Sequence, residues 1–110
     1  RIGQMVLDSG QYNNRQIVSK AYLVQATTPA TWLTGENGKP LYSYGYQFWM
    51  LTHQGHKIIY ARGILGQYIF IIPSFNMVVV RLGPARSEEK VHFVPKDVFT
   101  YLEAAFAMAK

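Results

Sequence analysis

Apolar residues at the start of the chain fall at helical spacing: Ile2, Met5 and Val6, with Leu7 beside them, until Ser9-Gly10 breaks the pattern as a helix C-terminus does. No capping residue precedes this helix, and a helix beginning at an uncapped Arg1 reads as cut from something longer. Asn13-Asn14 predicts a turn and Gln16-Ile17-Val18 a short extended stretch. Ser19 is a good N-cap for a second helix carrying Tyr22, Leu23 and Ala26, which Pro29 should end. Residues 30 to 41, rich in Thr, Gly, Asn and Pro, read as a loop.

A strand-rich block follows. Residues 42 to 52 are dense in aromatics, His53-Gln54-Gly55-His56-Lys57 predicts a hairpin connection, and a second strand begins at Ile58-Ile59-Tyr60-Ala61. After Gly63-Ile64-Leu65-Gly66 come a third run over 67–72, a turn at Pro73-Ser74-Phe75-Asn76 and a fourth run over 77–82. These runs are apolar at nearly every position, so both faces of the sheet should be covered. Pro95 predicts the start of a last helix, with Asp97 in its first turn and Val98, Tyr101, Leu102, Ala105, Phe106 and Met108 as its apolar stripe. The expected fold is therefore α+β in one piece over 1–110: helices within 1–29, an antiparallel sheet of three or four strands within 42–83, and a helix over 95–110.

Composition narrows the chemistry. At 110 residues and 49% hydrophobic the chain suits one folded domain, and no apolar run approaches the roughly 20 residues of a membrane span. The first eight residues lack the features of a signal peptide. Zero Cys removes disulfides, thiolate metal sites and a cysteine nucleophile. A net charge of +5 would suit a polyanion, but the basic residues are spread from Arg1 to Lys110, and Glu88 and Glu89 interrupt their densest stretch. A solvated mixed surface is the expectation, and no nucleic-acid partner is predicted.

Individual candidates carry little alone. His53 and His56 sit in a predicted hairpin with no acid or third His nearby, so no metal site is predicted, and His92 between Val91 and Phe93 lacks a positioned partner for base catalysis. Gly63 and Gly66, between strands, mark either a bulge or a place where a ligand lies against exposed N–H groups. The eight Tyr and two Trp sit mostly inside apolar runs, which favours packing over base stacking.

Taken together, three segments resemble the C-terminal part of the β-lactamase-related serine hydrolases, the family of penicillin-binding proteins, class C β-lactamases, esterases and 6-aminohexanoate-dimer hydrolase. They are Tyr44-Gly45-Tyr46-Gln47-Phe48-Trp49, the run from Tyr60-Ala61-Arg62-Gly63 through Gly66-Gln67-Tyr68 to Pro73, and Val78-Val79-Val80-Arg81-Leu82-Gly83. Residues 2–19 are similar to the family's helix, G-x-W-N-G, I-[LV]-S, helix stretch. The likeness covers residues 1 to about 83, and the last helix agrees by position only.

The resemblance implies an acyl-transfer site of three motifs: a nucleophilic serine in S-x-x-K, a Tyr or Ser assisting proton transfer, and a K-T-G-like motif on an edge strand whose backbone N–H helps form the oxyanion hole. Only the third motif falls in this chain, on Ala61-Arg62-Gly63. The resemblance implies Ile64 N–H as oxyanion donor, Gly63 for close approach, and Ala61, Arg62, Gly66 and Gln67 on the substrate side. Ala61 stands where the family's Lys sits, which favours an ester, amide or peptide over a β-lactam. Ser87-Glu88-Glu89-Lys90 and Tyr12-Asn13-Asn14 match S-x-x-K and Y-x-N literally, but they stand in the wrong order relative to the strands. The expected partners are a small-molecule or peptide substrate and an upstream part of the same protein, without cofactor or metal; the cellular address is left open by the residues, and the resemblance brings only that full-length members of the family are often exported. Two rival readings are a small basic, aromatic-rich binding module and an interaction domain that pairs through an exposed sheet edge.

Overall fold

The computed structural model describes residues 1–29, 44–91 and 94–109. Its elements run α1 (Ile2–Leu7), β1 (Gln11–Tyr12), β2 (Arg15–Gln16), α2 (Lys20–Ala26), β3 (Trp49–His53), β4 (His56–Gly63), β5 (Gln67–Ile72), a short 3-10 helix (Pro73–Phe75), β6 (Met77–Arg81), β7 (Lys90–Val91), β8 (Val94–Pro95) and α3 (Lys96–Ala109). The class is α+β, and the central sheet is a four-stranded antiparallel meander, β3-β4-β5-β6.

Turn chemistry sets the registers. Gln54 and Gly55 have φ of 49° and 80°, the left-handed pair that a two-residue hairpin with matching strand twist requires, so His53 pairs with His56. The connection is tighter than the five residues expected, because His53, His56 and Lys57 already belong to the strands. Asn13 and Asn14, at φ 50° and 62°, close the small β1–β2 hairpin in the same way. Asn76, at φ 49°, ends the 3-10 helix and starts β6.

Alternation along the strands then sorts side chains to two faces. Ile58, Tyr60, Tyr68, Phe70 and Ile72 pack with Val94, Val98, Leu102, Ala105 and Phe106, so α3 covers one face. Met50, Ile59 and Ile71 face the other way and are covered by Val6, Leu7 and Phe48. Gly3 lets α1 come close there, since a Cβ at this position would meet Ile69 Cγ2 at 3.0 Å.

Several expected boundaries shift. The strand expected over 42–52 begins at Trp49: Gly45 N–H donates to Phe48 O (2.8 Å), Tyr46 N–H to Ala26 O (3.0 Å), and Gln47 turns to φ 65°, so this aromatic stretch folds onto the end of α2. Residues 42 and 43 and the expected 30–41 loop lie outside the described residues. Ser19 caps α2 as expected, accepting from Tyr22 N–H at 3.1 Å. The helix stops at Ala26, before Pro29: Thr28 N–H turns to the Gln25 carbonyl (3.2 Å), an i−3 bond, and the Thr27 and Thr28 hydroxyls bond the Leu23 (2.7 Å) and Val24 (2.5 Å) carbonyls. Pro95 pairs with Lys90 in β7–β8, and α3 begins one residue later. Met108 is 83% exposed at the last turn, off the expected stripe.

Candidate functional site

The stretch expected to carry the third motif is the end of β4. β3 begins opposite Tyr60, so Ala61, Arg62 and Gly63 run past its first residue, while on the other flank they are in register with Ile69, Tyr68 and Gln67 of β5. The resemblance implies an edge strand; β4 is paired on both flanks at Ile59 and Tyr60 and passes beyond β3 only for these three residues. Backbone bonds alternate sides along an antiparallel strand. Counted from the turn-closing pair of His53 and His56, the residues that bond toward the β3 flank are His56, Ile58, Tyr60 and Arg62.

Ala61 and Arg62 point to opposite faces, as neighbours in a strand must. Arg62 lies on the α3 face with its guanidinium carbon 4.2 Å from the centre of the Trp49 ring, and the Tyr44 ring also packs against Trp49, 4.8 Å between centres. Tyr60 is fully buried beside them, and burial pushes its phenol pKa up while the Arg62 charge pulls it partly back. Cation–π contact of this kind holds Arg62 flat over Trp49.

Gly63 is exposed, and a Cβ there would touch only Gln67, at 3.2 Å. Ile64 is 82% exposed at the tip. Leu65 and Gly66 take left-handed conformations, φ 63° and 92°, and Gly66 is buried against Arg81 and the Ala85 carbonyl. Gln67 reaches across to Gly83: Oε1 accepts the Gly83 N–H at 3.0 Å and Nε2 donates to the Gly83 carbonyl. The six expected site residues thus lie together on one turn, with Ala61 to Ile64 on its open part and Gly66 and Gln67 engaged with residues 81–85.

Other sequence candidates separate from this turn. His53 and His56 stand at the opposite end of β4; His56 Nδ1 is 2.7 Å from Ser74 Oγ, and Phe106 packs against both imidazoles. Ser87 Oγ accepts from Glu89 N–H (3.2 Å) in a segment that opens no helix, and Tyr12 is in β1. His92 lies outside the described residues. Among the described residues no group of three or more His, Cys, Asp or Glu could hold a metal ion, and no helix is long and apolar enough to cross a membrane.

Sequence reasoning missed the clustering of Arg81, Arg86 and Asp97 around Tyr68. These residues come from β6, the following segment and α3, and no spacing rule joins them. No family model and no curated protein matches the chain.

Proposed function

We propose that this chain is the C-terminal part of a β-lactamase-related serine hydrolase, which breaks an ester, amide or peptide bond by acyl transfer. It supplies the third-motif strand and one oxyanion-hole donor to a nucleophilic serine carried upstream. The observation that carries this reading is the extension of Ala61-Arg62-Gly63 past the start of β3, at the place to which the resemblance assigns the motif. The resemblance assigns the donor itself to Ile64 N–H, in the first residue of the turn that follows this strand. A fixed N–H donor stabilises the oxyanion of a tetrahedral intermediate because it is already oriented when the charge develops.

In this reading substrate lies along the flank of 61–64, an acyl group is transferred to the upstream serine, and water releases it. Ala61 contributes no cation, so recognition rests on backbone and on the Tyr44, Trp49 and Arg62 wall. The exposed apolar side chains of Ile2, Val80 and Leu82, at 68%, 58% and 76%, are surface that the upstream part would cover. Replacing Ile64 by Pro in the whole protein deletes the donor and should slow acylation by about 10²- to 10³-fold. Acylation by a nitrophenyl ester at the parent rate, with the fold retained by circular dichroism, would count against the assignment.

A further inference from the structure

Between α1, α2 and the sheet, packing leaves a space. Helical spacing puts Lys20, Leu23, Val24 and Thr27 on one face of α2, and with Val6 of α1, Ser9 just beyond it and Ile59 of β4 they line a cavity of about 100 Å³. The buried core on this side of the sheet is small, built on Met50, Ile59 and Ile71. Leu23 and Ile59 are buried and form the floor of the cavity, whereas Val24, 58% exposed, and the exposed Ser9 and Lys20 stand where it opens to solvent.

The lining divides by chemistry. Val6, Leu23, Val24 and Ile59 give it apolar walls. A space of this size is smaller than the roughly 150 Å³ that holds a benzene ring in a hydrocarbon-lined protein cavity, so it fits an alkyl chain of a few carbons. Thr27 donates its hydroxyl proton to the Leu23 carbonyl (2.7 Å), and its own carbonyl accepts from Lys57 Nζ (2.8 Å), so its polar groups are already satisfied. The Ser9 hydroxyl and the Lys20 ammonium differ: among the described residues neither makes a hydrogen bond, and the ion pair there joins Lys96 to Glu89. No carboxylate lines the cavity, and Asp8, next to Ser9 in the chain, is held by Gln4 Nε2 at 2.9 Å.

We propose that this cavity binds a short alkyl carboxylate, with its chain between α2 and Ile59 and its carboxylate at the mouth, on Lys20 Nζ and the Ser9 hydroxyl. The apolar walls favour the chain because its burial removes methylenes from water, and the ammonium selects an anionic head over a neutral or cationic one. The four-carbon stem of Lys20 lets its charge stay in water at the opening, where a carboxylate can reach it without being fully desolvated. The cavity lies on the face of the sheet opposite α3 and does not depend on the hydrolase reading.

The test is a methyl NMR titration of the whole protein with sodium acetate, propanoate, butanoate and pentanoate, and with pentanamide, at constant ionic strength. Saturable shifts of the Val6, Leu23, Val24 and Ile59 methyls are expected, with affinity rising about threefold for each methylene added to acetate, and pentanamide binding more weakly than pentanoate. Lys20→Gln should weaken pentanoate by about three- to tenfold and leave pentanamide unchanged. Val24→Phe, at an exposed position, should obstruct the mouth and weaken both. Equal affinities along the acid series overturn the proposal, as do non-saturating shifts, pentanoate and pentanamide binding alike, or unchanged pentanoate affinity in Lys20→Gln. Val24 shifts that change with protein concentration before any ligand is added would seat a second copy of the chain in the cavity and overturn it too. If Val24→Phe does not fold, the result for Lys20→Gln decides.

Discussion

Two glycines with the same kind of φ differ in what surrounds them. Gly55, φ 80°, has nothing within 4 Å of the position a Cβ would take, whereas Gly66, φ 92°, has the Ala85 carbonyl at 3.0 Å as well as Arg81 and Arg86. Gly55→Ala should therefore cost only left-handed strain, about 1 to 2 kcal/mol, and Gly66→Ala that strain plus crowding, about 2 to 4 kcal/mol in all. Urea denaturation of both variants measures the difference, and equal losses would mean that the turn relaxes freely. Tyr68 provides a second residue-scale check. Burial first, then the charge of Asp97, pushes its pKa from 10.0 up to about 12, against the pull of Arg86, Arg62 and Arg81. A phenol whose folded pKa is raised adds stability below its unfolded pKa, and that stability is lost as pH rises through the window from 10.0 to about 12. The urea midpoint should fall over this window, and Tyr68→Phe should remove that part of the fall, with tyrosinate absorbance following the same group.

At the scale of elements, α3 is held by one face. Phe106 sits between His53, His56 and Phe75, with ring centres at 5.5, 5.2 and 4.9 Å, whereas Met108 two residues on is 83% exposed. Phe106→Ala should cost about 3 to 5 kcal/mol, and Met108→Ala no more than about 0.5 kcal/mol. Thermal unfolding of the pair checks this, and a large loss at Met108 would place the helix in another rotation. These elements also show what was legible in the sequence. The four strands could be read because their apolar runs are bounded by Gln54-Gly55, Gly66 and Asn76, residues chosen by positive φ. The start of β3 could not, because aromatic residues 44–48 fit a strand equally well by propensity, and it was their docking on the Ala26 carbonyl that folded them away. The β7–β8 hairpin, two residues on each strand, is too short to leave a periodic signal.

At the scale of the whole molecule, the sheet lies between α3 on one face and α1 and α2 on the other, which explains why its strands are apolar on both sides. That residues 61–67 lie together was legible because they are contiguous in one strand end and turn; the arginine cluster was not, because it is assembled by tertiary packing alone. The proposed function requires that chemistry be completed by residues outside 1–110, so its central claim concerns the whole protein. The most direct measurement is to treat that protein, as its source produces it, with a serine-reactive phosphonate and map the modified peptide by mass spectrometry. The expected result is a single labelled serine upstream of Arg1, followed by x-x-Lys, with labelling slowed by Ile64→Pro. A label on Ser74, Ser87 or any other serine within 1–110, or no label at all, would contradict it.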